Sequence, residues 1–290
     1  MMHQQANLAA GETANERALV LFVGRIGDPA WRDQVAWLRD RCELVCCASC
    51  QAAQDWLQDT ARCPVLVVLA EAHRDTYTAA EVHRLFEQLP LSRMFVVQGS
   101  LCEGEARSGT PYEGVEHAYW YHFQARVAAL LELDGMATGS QRQGGAAIVR
   151  TGTEQERVLE ESERPLPVGD GLIGIVADSL IFVESLESGC RLAGYHTTWL
   201  RPGGVQGVAG MRAIIVDCHD VAGALDLTST LPAEVQQMPR LVLANFPRLE
   251  DVQQAAADGR TVVVAKPFRL HDVLWQLSEL LAADEETRAA

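Results

Sequence analysis

The sequence is poor in positive charge and in aromatic residues, and it contains no long apolar run. Its 24 Lys and Arg residues stand against 39 Asp and Glu, which gives a formal net charge of −15. Nucleic acids and anionic membranes both attract basic surfaces, so this charge argues against either as a partner. No apolar stretch reaches the roughly 18 residues that a membrane-spanning helix needs. We therefore expect neither a nucleic-acid partner nor a membrane partner.

Residues 1–16 also lack the apolar segment of a secretory signal peptide. Their polar composition predicts a disordered arm, and the chain is expected to be cytoplasmic. Hydrophobic residues make up 48% of the chain but aromatic residues only 6%. Such a composition is typical of an α/β protein rich in Ala, Leu and Val.

Cysteine is not scarce, and five of the eight cysteines lie between residues 42 and 63. Cys47 and Cys50 have the C-x-x-C spacing that can bind zinc or form a redox pair. Against that reading, Cys46 and Cys47 lie in an apolar run, and no second pair follows at zinc-finger spacing. Buried thiols pack as small hydrophobic groups, so we favour a structural role for this cluster.

Short β-branched runs alternate with segments of helical period, which predicts parallel sheets covered by helices. In the first half we predict strands at 18–24, 43–49, 64–70, 93–99 and 115–121, and helices at 29–41, 50–60, 78–89 and 123–133. In the second half we predict strands at 172–178, 195–200, 212–218, 240–246 and 261–266, and helices at 179–193, after 203, within 221–236, at 248–258 and at 269–282.

Residues 134–170 interrupt this alternation with a Gly/Ser/Gln-rich stretch and an acidic, proline-containing one. That composition indicates a linker. The predicted fold class is α/β, with two doubly wound (βα)5 flavodoxin-like sandwiches of three layers in tandem. The predicted segments are an arm (1–16), a first domain (17–133), the linker (134–170), a second domain (171–283) and an acidic tail (284–290).

Polar residues end several strands of the second half. Because ligands of an open parallel sheet bind beyond the carboxyl ends of its strands, we expect Asp178, Asp217 and Lys266 to converge there. Carboxylate oxygens suit Mg²⁺, and an ammonium group attracts phosphate oxygens. An aspartate can itself accept a phosphoryl group as an acyl phosphate. The sequence thus predicts a candidate site for a divalent cation and a phosphoryl group.

The second half resembles the receiver domains of two-component response regulators, over about residues 171–283. The most specific element is Lys266-Pro267-Phe268 before the last helix. The resemblance implies that Asp217 is the phospho-acceptor, that Asp178 and Asp217 are Mg²⁺ ligands, and that Lys266 contacts the phosphoryl group. It also implies that the peptide bond before Pro267 is often cis, and that the switch Ser or Thr position is taken by Ala244.

The departures from this pattern are substantial. Ala177 replaces an acidic residue, Ala244 cannot donate a hydroxyl hydrogen bond, and Val263 replaces the usual switch aromatic residue. In the first half only Glu71 is acidic at a strand end and no lysine follows the fifth strand. We interpret the first half as a degenerate pseudo-receiver without phosphoryl chemistry.

Three functions are compatible with these features. The favoured one is a signalling protein of tandem receiver-like domains, without an output domain and not an enzyme, that acts by protein–protein interaction. Its expected partner is a histidine kinase or another signalling protein, and a homodimer is possible. The alternative is a Mg²⁺-dependent phospho-acceptor at Asp217. A Mg²⁺-dependent phosphotransfer or nucleotide enzyme ranks last, because no glycine-rich phosphate loop is present.

Overall fold

The computed structural model describes residues 17–102, 112, 114–138, 166–201 and 209–289, with the backbone alone at 132–138. The predicted arm 1–16, most of the linker 134–170 and the short helix predicted after 203 fall largely outside the described residues. We refer below to residues 17–138 as the N-terminal half and to residues 166–289 as the C-terminal half.

Each half contains one sheet of five parallel strands. The strands of the N-terminal half are β1 (Leu19–Val23), β2 (Glu43–Cys47), β3 (Leu66–Glu71), β4 (Arg93–Gln98) and β5 (Glu116–Tyr119). Those of the C-terminal half are β6 (Leu172–Val176), β7 (His196–Trp199), β8 (Met211–Asp217), β9 (Arg240–Asn245) and β10 (Thr261–Lys266). All ten predicted strands are confirmed.

The two sheets share one topology. The strand order is β2-β1-β3-β4-β5 in the first sheet and β7-β6-β8-β9-β10 in the second. This is the 2-1-3-4-5 order of flavodoxin-like folds, in which the carboxyl ends of the strands form the ligand-binding edge. The chain is therefore α/β, with two parallel sheets consistent with two flavodoxin-like domains.

Helices connect the strands in both halves. Those of the N-terminal half are α1 (Arg32–Arg41), α2 (Cys50–Asp59), α3 (Ala79–Gln88) and α4 (Phe123–Thr138), with 3-10 turns at Pro29–Trp31, Ser100–Cys102 and Trp120–His122. Those of the C-terminal half are α5 (Leu180–Leu192), α6 (Val221–Ser229), α7 (Ala233–Gln236), α8 (Leu249–Ala256) and α9 (Leu270–Ala289). Between β4 and β5 the described residues contain only a 3-10 turn, where a complete (βα)5 layout would have a helix.

Side-chain caps fix several helix starts. The Thr78 hydroxyl accepts a hydrogen bond from the Glu81 amide while the Glu81 carboxylate accepts one from the Thr78 amide, which is a capping box. Ser49 and Ser179 cap α2 and α5 in the same position. These hydroxyls satisfy amide groups that have no partner within the helix.

One predicted helix differs from its expected bounds, and the segment predicted to be helical in part contains two helices. The segment 221–236 is divided into α6 and α7, because Pro232 lacks the amide hydrogen needed to continue the first helix. Helix α9 runs to Ala289 and so takes in residues predicted as an acidic tail. Arg288 pairs with Asp284 one turn earlier at 2.8 Å, and Arg212 forms an ion pair with Glu285. The second of these pairs links the end of the helix to β8.

Helices cover both faces of each sheet. In the N-terminal half, alternate strand residues such as Phe22 and Val68 pack with α1 and α4, whereas Leu21 and Val67 pack with α2 and α3. The C-terminal sheet is enclosed in the same way, with α5 and α9 on one face and α6 to α8 on the other. Burial on both faces explains why the strands are apolar along their whole length.

The two halves contact each other through α1, the turn Trp120–His122 and α4 on one side, and β10 and α9 on the other. Trp37 packs edge-to-face on Trp275, with 6.0 Å between the ring centroids. Arg126 and Asp272 form a buried ion pair with Nε to Oδ1 at 2.7 Å. We call these contacts the interface between the halves. The N-terminal half thus lies directly against the strand that ends in Lys266.

Candidate functional site

Asp217 and Lys266 meet at the carboxyl edge of the C-terminal sheet. Asp217 ends β8 and Lys266 ends β10, with β9 between them. The Lys266 Nζ lies 2.5 Å from the Asp217 Oδ1 and also donates a hydrogen bond to the Cys218 carbonyl at 2.8 Å. The side chains are 22% and 19% exposed, so solvent reaches both only from one side. The structure therefore brings together the two residues on which the sequence prediction relied most.

The contact between these two side chains is an ion pair rather than a directed hydrogen bond. Oδ1 of Asp217 is buried and accepts no well-aligned hydrogen bond within the described part of the chain, although the ammonium lies close to it. The Phe182 ring lies 5.8 Å from the same ammonium, and its edge-to-face contact with Phe268 has a centroid distance of 6.3 Å. An aromatic face near a cation adds to the attraction that keeps Lys266 in place.

Lys266 is also chemically unusual for this chain, because it is the only lysine among the 290 residues. All 23 remaining basic residues of the 24 are arginines. An ammonium is a compact point charge, whereas a guanidinium is a broad planar fork, so the two are not interchangeable in a narrow site. The peptide bond between Lys266 and Pro267 is cis, as the resemblance implied.

Asp178 lies at the same edge but remains apart from this pair. It follows β6 in an exposed loop, next to the cap residue Ser179 of α5. Burial raises the pKa of the Cys218 thiol, with further contributions from the charges of Asp217, Asp220 and Asp178. Because β6 and β8 are adjacent and parallel, Asp178 and Asp217 lie at the same edge of the sheet.

The loop after β8 does not replace the missing acidic residue. The Asp220 carboxylate accepts a hydrogen bond from the Gly223 amide at 2.7 Å, so it caps α6. His219 is exposed, with its Nδ1 3.8 Å from Asp220 Oδ2. Ala177 and Ala244, which stand at the positions of the lost acid and the lost hydroxyl, are 4% and 0% exposed. Both are packed into apolar clusters and contribute no polar group.

The described residues do not supply a complete set of side-chain ligands for Mg²⁺ at this edge. Asp178 and Asp217 are the two predicted ligands, and Asp217 is paired with Lys266 at 2.5 Å. Across the described ranges, no group of three His, Cys, Asp or Glu side chains lies close enough to hold a metal ion. Mg²⁺ would thus have to complete its coordination with waters and phosphate oxygens from outside the chain.

The equivalent edge of the N-terminal sheet is filled by tyrosine. The Tyr77 hydroxyl donates to the carbonyls of Val23 and Ala70, at 2.8 and 3.0 Å, across the ends of β1 and β3. Tyr112 donates to the Tyr77 carbonyl at 2.8 Å and lies 3.3 Å from the carboxylate of Glu71. Glu71 is only 2% exposed. Here the acidic residue that ends β3 is enclosed by protein groups.

All eight cysteines are free, and the clustered ones are mostly buried. Burial raises the pKa of the Cys42 thiol to about 11 and that of Cys50 to about 12. Thiols with such pKa values carry almost no thiolate at neutral pH and are poor nucleophiles and metal ligands. No disulfide joins the cysteines of this cluster.

Sequence reasoning missed the polar core of the interface between the halves. His122 Nε2 lies 3.2 Å from the Pro267 carbonyl oxygen, and Arg126 NH2 donates to Asp272 at 2.8 Å. Asp272 Oδ2 also accepts from the Arg269 amide at the start of α9. A lone arginine within the apolar stretch of α4 was the available signal, because such a charge requires a buried partner.

No protein-family model matches the chain, and no curated protein does. Similar solved structures include one described as a two-component system response regulator/GGDEF domain protein, at 11% identity over 92% of this chain and 99% of that one, with a TM-score of 0.31. The GsuK channel shares 13% identity over 93% and 65%, with a TM-score of 0.27. A D-mandelate dehydrogenase of Rhodotorula graminis shares 14% over 93% and 92%, with a TM-score of 0.22. TM-scores this low carry no argument about function.

No helix among the described residues has both the length and the apolar character needed to cross a bilayer.

Proposed function

We propose that the protein is a receiver-like signalling protein that acts by binding another protein, without phosphoryl transfer. The observation that carries this proposal is the closed ion pair of Asp217 and Lys266 between two apolar positions, Ala177 and Ala244. A phosphoryl group on Asp217 would carry a charge of about −1.5 to −2 in place of the −1 of the carboxylate. One ammonium would have to stabilise it without the acidic residue that Ala177 replaces and without a hydroxyl donor at Ala244.

The surroundings of the ion pair favour a protein as partner. Leu180 and Ile181 at the start of α5 are 50% and 80% exposed, and Phe246 after β9 is 54% exposed. Parallel topology places these residues at the carboxyl edge that also carries Asp178 and Asp217. Large apolar side chains beside charged ones are the usual make-up of a protein contact, with an apolar centre and a polar rim. A histidine kinase or another signalling protein is the expected partner.

A second candidate function is a phospho-acceptor at Asp217 that receives its phosphoryl group from a histidine kinase. The proximity of Lys266 favours this candidate, since an ammonium within 2.5 Å can follow the charge of an incoming phosphoryl group. This candidate requires Mg²⁺ from solution, because the chain does not supply a complete set of ligands.

Treatment with Mg²⁺ and a small acyl-phosphate donor, or with beryllium fluoride, separates the two candidates. For the binding protein we expect no gain of phosphoryl mass and no change in the NMR signal of the single lysine, labelled with ¹³C. A mass gain that disappears in Asp217→Asn would instead establish the phospho-acceptor.

The binding surface is tested by recovering partners from the native host with tagged protein. Ile181→Glu should lose partners that Asp217→Asn retains. Leu91→Glu is the matched control, because Leu91 is also 80% exposed but lies in the N-terminal half before β4. Loss of the same partners in Leu91→Glu, or their retention in Ile181→Glu, would contradict the proposed surface.

A further inference from the structure

Both chain neighbours of Lys266 are held by the N-terminal half. Ala265 is completely buried and belongs to the hydrophobic cluster that contains Phe123 and Trp120 of the N-terminal half. The carbonyl oxygen of Pro267 lies 3.2 Å from the imidazole Nε2 of His122. The backbone that carries the ammonium is therefore fixed on each side by groups that lie about 145 residues earlier in the sequence.

A buried ion pair fixes the helix that follows. Arg126 contacts both oxygens of Asp272, through Nε at 2.7 Å and NH2 at 2.8 Å. Asp272 is 1% exposed, and its Oδ2 accepts the Arg269 amide, so it also caps α9. His122 Nδ1 lies 3.5 Å from the same carboxylate. One carboxylate therefore links α4, the turn Trp120–His122 and the start of α9.

This arrangement differs from the rest of the interface between the halves. Arg41 and Glu279 also form an ion pair across the interface, at 2.6 Å, but their side chains are 42% and 43% exposed. Exposed pairs of this kind contribute little to stability, because solvent screens their charges. Such a pair holds the halves together without touching the segment that contains Lys266.

We propose that His122 and Arg126 of the N-terminal half are positioning residues for Lys266. They act through the Pro267 carbonyl and Asp272, and they hold the ammonium against Asp217. The N-terminal half then serves the site of the C-terminal half, although its own carboxyl edge is filled by tyrosine. This inference goes beyond the proposed function, since it applies whether or not Asp217 accepts a phosphoryl group.

Such positioning is a coupling between two places, and coupling is reciprocal. A change at His122 must alter the environment of Lys266. A change in the pair of Asp217 and Lys266 must likewise alter the environment of His122. A merely structural interface would lose stability on mutation without transmitting either effect.

The effect of His122 on the environment of Lys266 can be measured because the chain has a single lysine. Protein labelled with ¹³C-lysine gives one set of side-chain signals, which all belong to Lys266. We expect His122→Leu, which cannot donate to the Pro267 carbonyl, to shift the Lys266 Cε signal and to speed its reaction with an amine-labelling reagent. His122→Gln retains a donor amide and should stay closer to the wild type. Glu279→Gln, which removes the exposed pair with Arg41, should leave the signal unchanged.

The reverse experiment changes Asp217 and observes His122, so it tests the proposal even if His122→Leu does not fold. Asp217→Asn changes a partly exposed site and should shift the imidazole signals of His122, which are assigned by their loss in His122→Gln. Circular dichroism establishes that each variant is folded. Unchanged Lys266 signals in folded His122→Leu would overturn the proposal. If His122→Leu does not fold, unchanged His122 signals in Asp217→Asn would overturn it.

Discussion

The two sheets have the same strand order, but different groups occupy their carboxyl edges. In the N-terminal half the Tyr77 hydroxyl bridges the carbonyls of Val23 and Ala70 across the strand ends. In the C-terminal half an aspartate and the only lysine meet at the equivalent place, partly open to solvent. One edge has become part of the core, while the other keeps charged groups that a ligand or a partner could reach.

The comparison shows that a shared fold does not require a shared role. A buried polar group needs a hydrogen-bond partner within the protein, so it takes on a structural role. Tyr77 is an example, because its buried hydroxyl donates to backbone carbonyls at the ends of β1 and β3, and burial raises the pKa of that hydroxyl. Charged groups at the other edge remain available because solvent still reaches them. Through the interface between the halves, the N-terminal half, whose carboxyl edge is buried, supports the C-terminal half, whose edge is accessible.

The largest expected effect comes from breaking that support. Arg126→Met leaves the Asp272 carboxylate buried without its cation, which should lower the free energy of unfolding by about 3–5 kcal/mol. The double variant Arg126→Met with Asp272→Leu should recover much of this loss, because an apolar pair can replace a buried ion pair. Urea unfolding measures both values. A loss below about 1 kcal/mol in the single variant would show that the pair is solvated.

The next largest expected effect distinguishes the carboxyl edge of the N-terminal sheet from that of the C-terminal sheet. Tyr77→Phe removes the donor to two buried carbonyls and should lower the free energy of unfolding by about 1–3 kcal/mol. Asp217→Asn is the matched change at the open edge. It keeps the shape of the side chain and should cost less than about 1 kcal/mol, because solvent screens a partly exposed pair. Equal costs measured by urea unfolding would remove the distinction between a structural edge and an accessible one.

The sequence predicts the fold well because each half repeats strong local signals. All ten strands lie where apolar β-branched runs predict them, and Lys266 and Asp217 meet as the strand-end argument requires. The filling of the N-terminal edge could not be predicted, because Tyr77 reaches β1 and β3 from a loop whose direction no periodicity encodes. Arg126 and Asp272 lie 146 residues apart, and nothing in the pattern of either helix specifies the other as partner.

The smallest expected effect is a loss of stability at acidic pH, which we attribute to His122 of the N-terminal half. Burial is the largest influence on His122 and lowers its pKa below the ordinary value of 6.5, and the charge of Arg126 acts in the same direction. The Asp272 carboxylate and the Pro267 carbonyl oppose this shift. The unfolded chain then binds more protons than the folded one just below pH 6.5, so the free energy of unfolding should fall as the pH drops from that value through the lowered pKa.

His122→Gln removes this titration and keeps a donor for Pro267, so its stability should fall less over the same pH range. The difference between the two urea-unfolding series isolates the imidazole from the many carboxylates that titrate in both proteins. Parallel curves would mean that His122 has the same pKa folded and unfolded. A wild type that gains stability on acidification would mean that Asp272 holds the protonated ring, and that the interface between the halves tightens around Lys266 in acid.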